Sequence, residues 1–181
     1  MTFDFEALSS KIEIATRLAF TRICEQHRAE GIYAFALYSD DGAMTVCAAA
    51  NTKAHLEQAE QDELTYYKFA PAEWKYEGSG FDEADALFDE ICTLVREREG
   101  EAEEDDGQFV TFRSTLFATC IDVLKKLAGE GIFQEIAGHE VGIVFTASEY
   151  EFPKAEMRKI VSSLNDNSYK DEYLAWMKTW G

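Results

Sequence analysis

The stretch GIYAFALYSDDGAMTVCAAA, residues 31–50, decides the fold class. Ile32 to Ser39 is aromatic and β-prone, Asp40-Asp41-Gly42 supplies turn chemistry, and Ala43 to Ala50 resumes the apolar run. That pattern predicts a β-hairpin, whose two strands are antiparallel. Upstream, Leu8, Ile12, Ala15, Leu18, Ala19 and Ile23 recur at helical spacing, with Lys11, Arg17, Arg22 and Arg28 outside the stripe. One amphipathic helix over about Phe5 to Glu30 follows, ended by Gly31, which can take a left-handed conformation without a Cβ clash. Downstream, Asn51 is a candidate cap for a helix from Thr52 to Leu64. Tyr66-Tyr67-Lys68-Phe69-Ala70 reads as a third strand, stopped by Pro71, which has no amide hydrogen to give a ladder.

The helical period returns at Phe81 and continues through Ala84, Leu87, Phe88, Ile91, Leu94 and Val95. Beyond it the chain turns acidic. Between Asp82 and Asp106 there are twelve acids and two arginines, and residues 100–107 are expected to form a mobile loop. A helix from about Phe109 to Ala128 is ended by Gly129 and Gly131. His139 to Thr146 reads as a buried strand that must pair with the hairpin sheet. Pro153 can start a helix running to about Leu164, and Tyr169 to Trp180 reads as a short aromatic helix or tail. With no repeat and no composition break, residues 1–181 are expected to form a single α+β domain. Its mostly antiparallel sheet of about four strands would pack with about four to five helices.

Composition narrows the function classes. The 35 acidic and 17 basic side chains leave a formal charge of -18, and the pI is near 4.4. That is the wrong sign for gripping a phosphate backbone or an anionic bilayer, so neither nucleic acid nor membrane is an expected partner. Met1 to Leu8 carries Asp4 and Glu6 without a basic run followed by an apolar stretch, so a cytoplasmic location is expected. Cys24, Cys47, Cys92 and Cys120 are scattered, with no close pair of the zinc or thioredoxin kind. Cys47, Cys92 and Cys120 fall in apolar runs, where a thiol behaves as a small hydrophobe.

No catalytic signature stands out. A Gly-x-Ser-x-Gly elbow is missing, and Gly78-Ser79-Gly80 is followed by Phe81 and Asp82 where a phosphate loop needs lysine or further glycine. His27, His55 and His139 are far apart, and the acidic runs lack the alternating ligands of a calcium loop. No catalytic residue, cofactor or metal is therefore assigned. What remains is an acidic surface, Asp82, Glu83, Asp85, Asp89, Glu90, Glu97, Glu101, Glu103, Glu104, Asp105 and Asp106, flanked by the aromatic candidates Trp74 and Tyr76. Clustered charge of one sign speeds encounter with, and selects for, a partner of the opposite sign, here a basic protein.

The hairpin Ile32-Tyr33-Ala34-Phe35-Ala36-Leu37-Tyr38 with Asp40-Asp41-Gly42, the segment Tyr67-Lys68-Phe69-Ala70-Pro71-Ala72-Glu73-Trp74, and the strand Val141-Gly142-Ile143-Val144-Phe145 resemble the bacterial domain of unknown function family 4303. The resemblance covers the first helix to about Glu151 and brings no catalytic residue with it. Members of that family resemble accessory proteins found near polymorphic toxins. This implies a non-enzymatic cytoplasmic immunity protein that occludes a basic toxin or effector domain. Two alternatives stand beside it. One is a regulatory protein-binding module without a toxin partner. The other is a metal-assisted enzyme assembled from His55, His139 and Glu140.

Overall fold

Strand β1, Ile32–Asp40, is the centre of the sheet. The expected hairpin forms: β2, Cys47–Thr52, pairs antiparallel with β1, placing Tyr38 opposite Cys47 and Leu37 opposite Ala48. On its other side β1 pairs in parallel with β4, Gly142–Ser148, so that Ala34 faces Gly142 and Tyr38 faces Thr146. A two-residue β3, Tyr76–Glu77, closes the order β3-β2-β1-β4. The late strand thus joins the hairpin sheet as expected, and its parallel pairing makes the sheet mixed. The computed structural model describes residues 3–102 and 106–180, without the side chains of 98–102 and 106.

Helix α1, Phe5–His27, begins at Asp4, whose carboxylate accepts from the Ala7 N–H at 2.9 Å. After a short 3-10 turn it stops at Gly31 with φ +73°, the left-handed value that the sequence calls for. The second helix departs from expectation. Thr52, not Asn51, caps it, and α2 spans only Lys53–Leu56. Asn51 belongs to β2, where its buried amide donates to the Tyr33 hydroxyl at 3.0 Å and accepts from the Thr52 N–H at 2.9 Å. A side chain committed to the core cannot also cap a helix.

The expected third strand, Tyr66 to Ala70, is instead helix α3, Leu64–Phe69. Aromatic residues favour strands only where a ladder partner exists. Here Tyr76–Glu77 takes the edge of β2 at Ala49 and Ala50, while Phe69 is buried against Tyr169, Tyr173 and Trp176. Helices α4, Glu83–Ala102, and α5, Asp106–Gly129, follow. Residues 100–102, 106 and 107 of the expected loop are therefore helical, and 103–105 lie outside the described residues. Then come α6, Ile132–Ala137, α7, Lys154–Leu164, and α8, Ser168–Trp176. The helices that the sequence did not foreshadow are α3 and α6, whose six residues each are too few for periodicity to reveal.

Alternation along β1 and β4 separates two layers. Phe35 meets Phe20 of α1 and Phe133 of α6, and Phe145 meets Phe117 of α5, so α1, α4, α5 and α6 cover one face. The other face carries α3 and α8. Its defining contact is at Gly142, where an added Cβ would lie 2.2 Å from the Tyr169 ring. Beside it, buried Asn165 accepts from the Ile143 N–H and donates to the Ile143 carbonyl, both at 2.7 Å. No helix among the described residues is long and apolar enough to cross a membrane.

Filling that contact should cost about 3 kcal/mol, as overpacking of a rigid core does. Gly142→Ala is expected to lower the urea midpoint accordingly, whereas Gly129→Ala, with open space around its Cβ position, should be near neutral or stabilising. Equilibrium unfolding of both variants checks the contrast.

Candidate functional site

The acidic face of α4 is partly matched by the protein's own bases. Arg22 donates to Glu83 at 3.0 Å and to Glu25 at 2.9 Å, Lys11 lies 3.8 Å from Glu90, and Asp82 accepts from Gln26. Asp85 accepts from the Gly80 and Phe81 N–H groups at 3.0 and 3.1 Å, closing the loop that enters α4. The reason is local: α4 packs along α1, whose bases lie outside its apolar stripe and reach the neighbouring helix. Glu83 is held below the usual carboxylate range by its own backbone N–H and then by Arg22. Asp89 and Glu97 are exposed. The side chains of Glu101 and Asp106, and Glu103, Glu104 and Asp105 entirely, lie outside the described residues.

The aromatic candidates divide differently. Trp74 is only 4% exposed and belongs to the core, so it is no surface anchor. Its apolar area is better buried behind the sheet edge, even with its indole N–H left without a partner. Tyr76 is half-buried, with its ring centroid 4.5 Å from that of His27 and its hydroxyl donating to Glu30 at 3.1 Å. Lys75 donates to the other Glu30 oxygen at 2.6 Å. Those bonds, led by Lys75, hold the Glu30 carboxyl below its ordinary value.

A second acidic surface escaped the sequence reading. Glu63, Glu73 and Glu60 surround Tyr67 closely enough to raise its hydroxyl pKa, and neighbouring Tyr66 is 51% exposed. The signal was present, since no lysine or arginine occurs between Lys53 and Lys68. The connection between α2 and α3, which carries Glu60 and Glu63, and the 3-10 turn Pro71–Glu73 bring those scattered acids together.

The histidines do not converge. His55 Nε2 meets the Glu73 carbonyl at 3.3 Å, His139 Nε2 meets the Ile32 carbonyl at 2.6 Å, and His27 Nδ1 meets Glu30 at 3.1 Å. His139 and Glu140 share a cavity of about 360 Å³ with Lys53 and Lys68, whereas His55 lines a separate cleft beside Glu60 and Glu63. Among the described residues no three His, Cys, Asp or Glu side chains are grouped to hold a metal.

Burial pushes the Cys24 thiol up to about 11. Cys92 is buried, as expected of a thiol in an apolar run, and it also meets the backbone. Its Sγ accepts from the Val46 N–H at 3.4 Å, and a hydrogen bond with Cys47 lowers its pKa while raising that of Cys47.

A cavity of about 650 Å³ opens on the α8 face of the sheet. Phe69, Phe152, Tyr173, Trp176 and Trp180 wall it, and Tyr38 and Glu77 stand on its sheet side. The Tyr38 hydroxyl donates to Glu77. Burial, and then the hydrogen bond to Glu77, push its pKa well up, so it stays a protonated donor. The sequence showed the aromatic run near the C-terminus without showing that it folds back over β1.

Residues 12–166 match the family model described as Domain of unknown function (DUF4303). No curated protein and no solved structure matches.

The Glu30 contacts give a pH signature. A carboxyl whose folded pKa is lowered contributes stability above its unfolded value and loses it as pH falls through the folded value. Glu30→Gln should therefore be less stable than the unmodified chain at neutral pH by about 0.5–1 kcal/mol. That difference should vanish below the ordinary carboxylate range, which paired thermal melts across acid and neutral buffers would show.

Proposed function

This chain belongs to the DUF4303 family, and from that premise we propose that it is a non-enzymatic binding domain for a basic protein. The observation that carries this reading is the α2–α3 surface, where Glu60, Glu63 and Glu73 gather around Tyr67 beside exposed Tyr66. Carboxylates steer a cationic partner, and an exposed aromatic ring supplies the desolvated contact that charge alone does not. The wider charge balance points the same way. With 35 acids and 17 bases, the chain keeps an excess of 18 carboxylates even if every base takes one. Much of the α4 face is already engaged with α1, so it serves as a steering field and the α2–α3 surface as the contact.

The finer reading is an immunity protein, acting in the cytoplasm, that covers the cleft of a basic toxin or effector domain. It rests on the family resemblance and on this surface chemistry. The three histidines, each held by a backbone carbonyl or by Glu30, favour binding over metal-assisted catalysis.

Calorimetry with the product of the adjacent gene tests the proposal. Binding should weaken with salt. Changing Glu60, Glu63 and Glu73 together to glutamine should raise Kd at least about tenfold and flatten the salt dependence. Neutralising Glu101, Glu103, Glu104, Asp105 and Asp106 should slow association more than it speeds dissociation. No binding, or unchanged affinity and salt dependence in both variants, overturns the reading.

A further inference from the structure

We infer that the cavity between α8 and the sheet binds a small organic cation, an ammonium or guanidinium head on a compact apolar body. The inference is independent of the basic-partner reading, because none of Glu60, Glu63, Tyr66, Tyr67 and Glu73 lines this cavity. Three observations lead to it. The cavity, about 650 Å³, falls within the range of small-molecule sites. Its walls are aromatic: Trp176 and Trp180 meet edge to face at 5.0 Å, and Phe69 stacks on Trp176 at 5.4 Å. Aromatic rings at such spacing offer negative faces to a cation, most strongly those of tryptophan.

The second observation is the polar lining. Glu77 and Glu151 bring two carboxylates, and Lys154, the one cation among the described lining residues, donates to the Trp180 carbonyl. Tyr38 donates to Glu77 from the sheet, fixing that carboxylate beside the aromatic walls. The two carboxylates outnumber Lys154 in this lining, so an anion is disfavoured and a neutral ligand gains nothing from the charge, whereas a cation is attracted by it.

The third observation is that rings of this wall already accept cations. Lys68 Nζ sits 5.5 Å from the Phe69 centroid and the Arg113 guanidinium 4.8 Å from that of Tyr150, which also lines the cavity. Trp176 and Trp180 hold no such cation among the described residues.

Trp176 and Trp180 also report on their own site, since Trp74 does not line the cavity. The experiment titrates the full chain with choline, with its neutral carbon isostere, and with the tert-butylacetate anion of the same shape, reading tryptophan emission and binding heat. Choline should give a saturable change and bind about tenfold or more tighter than the isostere, with no saturation by the anion. Glu77→Gln, at an exposed position on β3, should weaken choline binding about tenfold and leave the isostere unchanged. Trp176→Leu should weaken choline binding at least as much. An isostere as tight as choline, tighter binding of the anion, no saturable response to choline, or indifference to Glu77→Gln overturns the inference.

Discussion

The close approach of Tyr169 to the bare backbone of Gly142 is the constraint on which the α8 side of the molecule depends. A ring can lie flat on a strand only where the strand carries no side chain, and β4 offers that at its first residue. Once Tyr169 is seated, the helical step carries Tyr173 and Trp176 over Phe69, and the turn after α8 brings Trp180 against Trp176. Those rings give α3 something to pack against, which is why a segment of strand-like composition coils. The cavity is the space left where this aromatic layer bridges from β4 toward β3.

Electrostatics divide along the same two faces. On the α1 side, bases placed outside the apolar stripe meet acids of α1 itself, of α4 and of the turn after α5, as Arg17 does with Glu13 and Glu130 and Arg22 with Glu83. These exposed pairs each contribute little to stability. Their effect is on the field, because they spend positive charge on one face. The other face keeps Glu60, Glu63 and Glu73 around an aromatic pair, and its potential is correspondingly less opposed.

Much of the architecture was legible in the sequence because it rests on long periodic segments. The hairpin, α1, α4, α5 and the pairing of β4 with the hairpin all follow from period and turn chemistry. The resemblance to family 4303, carried by the hairpin and the β4 strand, agrees with a family match over residues 12–166. What stayed hidden depended on contacts between distant residues. Tyr66 to Ala70 has strand propensity, and only Tyr169 and Trp176, a hundred positions on, decide that Phe69 sits on a helix. Asn51 looks like a cap until Tyr33 claims its amide. Trp74 looks like an interface residue until burial claims it. A cavity formed by residues from β1, β3 and α8 has no local signature at all.

Asn165 carries a consequence for how this molecule behaves in a crowd. The outer edge of a terminal strand is a template on which another chain can lengthen the sheet. Asn165 offers Ile143 both a donor and an acceptor, each at 2.7 Å, and so behaves as a neighbouring strand one residue wide. An incoming strand would first have to evict a buried amide that also donates to the Val161 carbonyl. Two asparagines thus occupy this edge, Asn165 at Ile143 and Asn167, which donates to the Val141 carbonyl at 3.1 Å, where an added strand would otherwise bond.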